Sequence, residues 1–117
     1  MSSEKIIKKI LKDLKKYSPQ KIIIFGSFVK KNKFKKFKDI DILVIKKTKK
    51  PFWQRYIEVS KLLYPQKRLG KNFYGFPFDI LVLTPEELEE KKNNFFFQKI
   101  LKEGKVIYEK RNKRMVR

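Results

Sequence analysis

The sequence contains no cysteine and no histidine among its 117 residues. Without cysteine, the chain has no disulfide framework, no thiolate metal site and no cysteine nucleophile. Without histidine, Ser-His-Asp hydrolysis, imidazole acid–base catalysis and His-ligated zinc are all excluded. Any chemistry that this protein performs must therefore use carboxylates, hydroxyls, lysine or arginine.

Acidic residues and long apolar runs are also scarce. The sequence has 12 Asp+Glu against 32 Lys+Arg, which gives a formal net charge of +20. A surface of this charge attracts polyanions: nucleic acid, nucleotides, an acidic protein or an anionic membrane. No apolar run approaches the ~20 residues of a membrane span, and lysines interrupt the N-terminal region where a signal peptide is apolar. We expect a soluble cytoplasmic protein that does not enter a membrane.

The residues that are present predict one α/β domain. Hydrophobic residues make up 41% of the chain, too many for a disordered basic tail. Apolar periodicity and capping signals predict helices at 3–16, 52–64 and 85–103, the last with a possible break near Asn93 and Asn94, and strands at 21–25, 39–45, 78–83 and 106–108. We therefore expect one domain at 1–109 and a basic C-terminal tail at 110–117.

Three of the few acidic residues lie at the beginning of strongly apolar strands. Asp39 and Asp41 open one strand and Asp79 opens another, whereas the remaining acids are placed in solvated helices. Side chains alternate along a strand, so Asp39 and Asp41 point the same way and repel each other unless a cation lies between them. Carboxylates without histidine or cysteine suit Mg²⁺ or Mn²⁺. If the two strands are neighbours, all three aspartates form one metal site.

A second element of the same site is predicted where the first strand ends. Gly26 lets the backbone approach a ligand closely, and the Ser27 hydroxyl with nearby N–H groups can hold phosphate oxygens. Lys30 and Lys31 follow and can neutralise phosphate charge. A phosphate cradle beside a carboxylate metal site is what phosphoryl or nucleotidyl transfer with two metal ions requires.

Each feature also has a simpler interpretation. Gly26 and Ser27 alone would be an ordinary turn, and the aspartates alone could be charged residues that protect strand edges. Lys30, Lys31 and the 33–38 run are at least as consistent with a solvated basic loop as with a site. Some aromatic residues could stack on bases but are better explained as core or protein-interface residues: Phe34, Phe37, Trp53, Tyr56, Phe95, Phe96 and Phe97.

Taken in order, the motifs resemble those of a known family. The run 23–27, which ends in Gly26-Ser27, is followed after eleven residues by 39–44, and this arrangement resembles the signature of polymerase-β-like nucleotidyltransferases. More narrowly, the segments 79–88 and 100–108 resemble the minimal nucleotidyltransferases (MNT proteins), which are often encoded beside a HEPN-domain partner in toxin–antitoxin pairs. The resemblance covers roughly residues 20–108.

This resemblance implies a fold, a reaction and a set of roles. It implies a palm-like mixed β-sheet flanked by helices, with Mg²⁺ or Mn²⁺ held by Asp39, Asp41 and Asp79. Gly26, Ser27 and Lys30 would bind the triphosphate of ATP, and Asp79 would help to activate the acceptor hydroxyl. AMP would then be transferred to a tyrosine of a HEPN-type toxin, for which this chain would act as the antitoxin.

The chain also departs from the family pattern around the phosphate cradle. Phe28 stands where the family often has arginine, Lys30-Lys31 stand for Arg-Gly, and Lys38 stands for a small residue. Lysine lacks the bidentate phosphate recognition of arginine. A non-catalytic basic module that binds protein or nucleic acid is therefore the main alternative function. An antibiotic nucleotidyltransferase is a weaker alternative because this length leaves no acceptor-binding domain, and self-association stays open.

Overall fold

The computed structural model describes residues 3–30, 39–64 and 77–110. Each predicted helix and strand is present in it: the strands at 21–25 and 78–83 have the predicted ends, the third helix is divided in two, and the other elements have shifted ends. The elements in chain order are α1 (Ser3–Leu14), a 3-10 turn (Lys15–Tyr17), β1 (Lys21–Phe25), a second 3-10 turn (Gly26–Phe28), β2 (Ile40–Ile45), α2 (Phe52–Leu63), β3 (Phe78–Leu83), α3 (Pro85–Lys91), α4 (Phe95–Glu103) and β4 (Lys105–Glu109).

The strands form one mixed sheet in the order β3-β2-β1-β4. Strand β1 pairs antiparallel with both β2 and β4, whereas β2 and β3 run parallel. The end of β1 therefore lies beside the beginnings of β2 and β3. This topology gathers Phe25, Asp41 and Asp79 in adjacent strands at one end of the sheet, since Asp41 is the register partner of both. The α/β fold with helices flanking a mixed sheet is the predicted one.

Apolar side chains alternate between two faces of the sheet. Ile22, Ile24 and Val44 face the larger core, which also contains Ile10 of α1 and Val59 of α2. On the opposite face, Ile23, Leu43 and Ile45 pack with Phe97 and Ile100 of α4. Because strands β1 and β2 are buried on both faces, they read in the sequence as nearly continuous apolar runs. Asp41 shares the α4 face, since it is two residues before Leu43.

An ion pair connects α2 to the beginning of α3. The Arg55 side chain is 7% exposed and donates from Nη1 to Oε1 of Glu87 at 2.6 Å and from Nη2 to Oε2 at 3.2 Å. It also donates to the carbonyl oxygens of Lys50 and Val82. Glu87 in turn completes the predicted capping box with Thr84. The guanidinium hydrogen bond holds the pKa of Glu87 below its usual range.

The packing corrects one sequence expectation and confirms another. Asp13 was placed in a solvated helix, but it is 8% exposed because it lies three residues after Ile10, at the edge of the buried stripe of α1. The predicted break near Asn93 and Asn94 is present: the third helix is divided into α3 and α4, and Asn94 caps α4 by accepting a hydrogen bond from the N–H of Phe96. Of the three consecutive phenylalanines of α4, Phe97 is buried, whereas Phe95 and Phe96 are exposed.

Some predictions fall outside the described residues. These are the roles of Lys31, Phe34, Phe37 and Lys38, and the basic tail apart from Lys110, whose N–H donates to the carbonyl oxygen of Gln20. The proposed boundary between domain and tail therefore stays a prediction. Among the described helices, none combines the length and apolar character that a membrane span needs.

Candidate active site

Three carboxylates converge at the end of the sheet where β2 and β3 begin. Asp41 and Asp79 are direct register partners of the parallel pair β2–β3, and Asp39 immediately precedes β2. One oxygen atom from each of Asp39, Asp41 and Asp79 lies within 4.8 Å of the others. The chain thus brings together the three aspartates that the sequence singled out, although Asp79 is exposed whereas the other two are half-buried.

The cluster is electrostatically unfavourable when no cation is bound. Burial raises the pKa of Asp41 from 3.8 to about 6, with further contributions from the charges of Asp39 and Asp79 and from a hydrogen bond with Asp79. Each of these effects disfavours the charged form of the Asp41 carboxyl group. A hard divalent cation supplies the opposite charge and prefers oxygen ligands. The donor set therefore fits Mg²⁺ or Mn²⁺.

Two independent constraints require glycine at position 26, beside Asp41. Its φ angle is +78°, a left-handed conformation that residues with a side chain rarely adopt. A Cβ atom at position 26 would overlap the Oδ2 atom of Asp41 and lie 3.1 Å from its Cγ atom. Glycine therefore allows the turn after β1 to pass directly against a carboxylate of the cluster.

The rest of the predicted phosphate cradle lies in the same turn. Ser27 is half-buried in the 3-10 turn Gly26–Phe28, and the N–H of Lys30 donates to its carbonyl oxygen at 3.3 Å. Lys30 is exposed and lines the same cavity as Gly26 and Asp41. Phe28, which replaces the family's arginine, packs against the larger core. The chain therefore uses this position for packing.

A cavity of about 330 Å³ adjoins the cluster on the Gly26 side. Helix α4 forms one of its walls through Phe96, Lys99 and Glu103. None of these three residues is predicted to belong to the site from the sequence alone. Their spacing along α4 is visible in the sequence, but only the tertiary packing of α4 on the sheet shows that they face Gly26.

Nearly the whole chain matches one known protein family. The family described as "Polymerase beta, Nucleotidyltransferase" matches residues 5–113. The chain belongs to this family. The match spans nearly the whole sequence and includes Gly26, Ser27 and the three aspartates of the cluster. No curated protein matches the chain closely enough to count as a relative.

Membership of this family confirms the polymerase-β-like part of the resemblance and the nucleotidyltransferase character of the domain. It carries no information on the narrower MNT assignment or on a HEPN partner. The aspartate cluster of Asp39, Asp41 and Asp79 could hold a metal ion. The individual roles of these aspartates and of Gly26, Ser27 and Lys30 stay predictions.

Proposed function

We propose that this nucleotidyltransferase moves AMP from ATP to a hydroxyl group, specifically a tyrosine of a HEPN-type toxin partner. The observation that carries the reaction is the convergence of Asp39, Asp41 and Asp79 within 4.8 Å, directly beside a glycine turn that contacts Asp41. Carboxylates that converge beside a backbone turn suit the simultaneous binding of a divalent cation and a triphosphate.

Asp39, Asp41 and Asp79 would hold Mg²⁺ or Mn²⁺. When bound, such an ion supplies charge neutralisation on the triphosphate and activation of a hydroxyl nucleophile. The raised pKa of Asp41 supports this assignment, because a site that disfavours its own charge gains most from a cation. The proposed reaction requires ATP as the substrate and Mg²⁺ as the cofactor, both present in the cytoplasm.

Other steps of the reaction are assigned to residues of the chain: binding of the triphosphate and removal of the proton from the acceptor hydroxyl. Gly26, Ser27 and Lys30 would bind the triphosphate and orient its α-phosphate toward the aspartate cluster. Asp79 would accept the proton of the acceptor hydroxyl, whose oxygen then forms the new bond to the α-phosphorus. The bond from that phosphorus to the bridging oxygen breaks, and pyrophosphate leaves.

The open side of the cluster favours a macromolecular acceptor. Asp79 lies on β3, an edge strand of the sheet, and its side chain is exposed. A protein loop can therefore reach it from outside. The chain also exposes the α2 aromatic patch, defined as Phe52, Trp53, Tyr56 and Ile57, whose residues are 41–64% exposed. Exposed apolar side chains grouped on one helix are typical of protein interaction sites.

The proposal is tested by intact-mass measurement of the partner. A HEPN-type partner protein, incubated with ATP, Mg²⁺ and this protein, should gain the mass of one or more AMP groups. Asp39→Asn and Asp41→Asn should abolish the gain, whereas the exposed helical Glu90→Gln should preserve it. A partner that keeps its mass with wild-type protein would refute the proposed acceptor.

A non-catalytic binding module is the second candidate, and the net charge of +20 favours it. In that case the aspartate variants would neutralise the partner as well as the wild type does. If the target were nucleic acid, affinity would fall steeply with salt because phosphate contacts release counterions. Tight binding that persists at high salt would indicate a packed protein interface.

A further inference from the structure

The cavity beside the aspartate cluster borders the Gly26 turn and Asp41 but not the other two aspartates. Its described lining includes Gly26, Lys30 and Asp41 on the sheet side and Phe96 and Lys99 on α4. Neither Asp39 nor Asp79 lines it. Its volume of about 330 Å³ lies within the usual range of sites for small molecules. An occupant would therefore touch the phosphate-binding turn and one carboxylate while leaving the Asp79 side free.

Helix α4 presents a defined face to this cavity. Phe96, Lys99 and Glu103 are separated by three and four residues, so they lie on one side of the helix. The neighbouring Phe97 and Ile100 are 8% and 3% exposed and are packed against the sheet. Because these two buried residues fix the rotation of α4, the direction of its cavity face is also fixed.

This face combines an aromatic ring with unneutralised positive charge. Phe96 is 52% exposed and meets Phe25 edge to face, with ring centroids 6.1 Å apart. Lys30 and Lys99 are exposed, and neither forms an ion pair with a described residue. A ligand that matches both features has a planar ring and several negative charges, which is the chemistry of a nucleoside triphosphate.

We propose that α4 supplies the nucleobase-binding wall of the site, with Phe96 stacked on the base and Lys99 drawing the phosphates into the cavity. The inference rests on the proposed function, since it takes the triphosphate to lie at Gly26 and Ser27. Glu103 also lines the cavity, one turn of α4 beyond Lys99.

The position of the cavity also separates nucleotide from acceptor. Asp79, the residue proposed to activate the acceptor, is exposed on the edge strand and lies outside the cavity lining. Of the three proposed phosphate ligands, Gly26 and Lys30 are part of that lining and Ser27 is their neighbour in the chain. The cavity therefore takes the nucleotide, and the acceptor approaches across β3.

Direct binding of ATP with Mg²⁺, measured by calorimetry without any acceptor, tests this assignment. Phe96→Ala and Phe96→Leu should weaken binding about 5- to 100-fold, the range expected for the loss of one stacked base. Lys99→Gln should weaken binding several-fold and reduce its dependence on salt. Phe95→Ala and Lys102→Gln are matched controls, because both residues are exposed on α4 and neither lines the cavity. Both should bind ATP within twofold of the wild type.

A spectroscopic variant provides a readout that does not depend on removing the ring. Phe96→Trp in a Trp53→Phe background leaves one tryptophan, since the sequence contains a single Trp. ATP with Mg²⁺ should quench its fluorescence, because the base stacks on the indole. Wild-type affinity in Phe96→Leu, or unchanged fluorescence while calorimetry detects ATP binding, overturns the α4 assignment and leaves the proposed function intact. Failure of the wild type to bind ATP at all overturns the proposed function itself.

Discussion

Gly26 and Asp41 lie so close together that no side chain at position 26 can share the space with the Asp41 carboxylate. The contact joins the end of β1 to the beginning of β2 and places the predicted phosphate-binding turn against the aspartate cluster. It also makes Gly26 the residue on which the geometry of the site depends most strictly.

Gly26→Ala should therefore destabilise the protein by about 2–4 kcal/mol, because it combines strain at positive φ with a clash against Asp41. Chemical denaturation measures the loss. The double variant Gly26→Ala/Asp41→Ala should recover part of the stability lost in the single variant, because the shortened side chain removes the clash but not the strain. Equal stability losses with and without Asp41 would contradict the contact.

Asp41 should make the metal-free protein sensitive to pH. Its pKa is raised from 3.8 to about 6, so between these values the folded protein holds a proton that the unfolded chain has released. The stability contribution from this group is therefore full below pH 3.8 and is lost as the pH rises through about 6. In chelator-treated protein at pH 8, Asp41→Asn should raise the free energy of unfolding by roughly 1 kcal/mol.

A divalent cation should make the wild type more stable than Asp41→Asn, the reverse of the order expected without metal. Mg²⁺ or Mn²⁺ should stabilise the wild type and leave Asp41→Asn nearly unchanged, because binding to the folded state alone adds stability. Thermal unfolding with and without chelator measures both effects, and Glu90→Gln is the control for a carboxyl-to-amide change at an exposed position. Equal metal-induced stabilisation of wild type and Asp41→Asn would place the cation elsewhere.

The Arg55–Glu87 pair should dominate the acid sensitivity of the α2–α3 contact. Glu87→Gln keeps an oxygen for the capping box but removes the charge that faces a buried guanidinium, so we expect a loss of about 1–3 kcal/mol at neutral pH. Because hydrogen bonding lowers the pKa of Glu87 below 4.5, this contribution is full above pH 4.5 and is lost as the pH falls through the lowered pKa. The stability difference between wild type and variant should shrink in that acid range, and a pH-independent difference would argue against an ionic contribution.

The sequence predicted the elements of the fold more completely than it predicted their contacts. Apolar runs located β1, β2 and β3, and the Thr84 capping box located α3, because these signals are local. The convergence of Asp39 and Asp41 followed from strand alternation. Adding Asp79 required the assumption that β2 and β3 are neighbours, which the parallel register supplies.

The contacts that the sequence did not predict are between distant segments. The spacing of aromatic residues located α2, but its buried stripe is Arg55, Val59 and Leu63, and Trp53 is 64% exposed. Arg55 can be buried only because Glu87, on another helix, neutralises it. In the same way, Phe96 and Lys99 gain a role only when α4 packs beside Gly26.

The most direct test of the central claim is the fate of the ATP phosphates in the presence of the cognate partner. Label at the α-phosphate should become covalently attached to the partner and label at the γ-phosphate should leave as pyrophosphate, with both events lost in Asp41→Asn. Transfer of the γ-phosphate label, or attachment of the α-phosphate label at the wild-type rate by Asp41→Asn, would contradict a nucleotidyltransferase site built on this aspartate cluster.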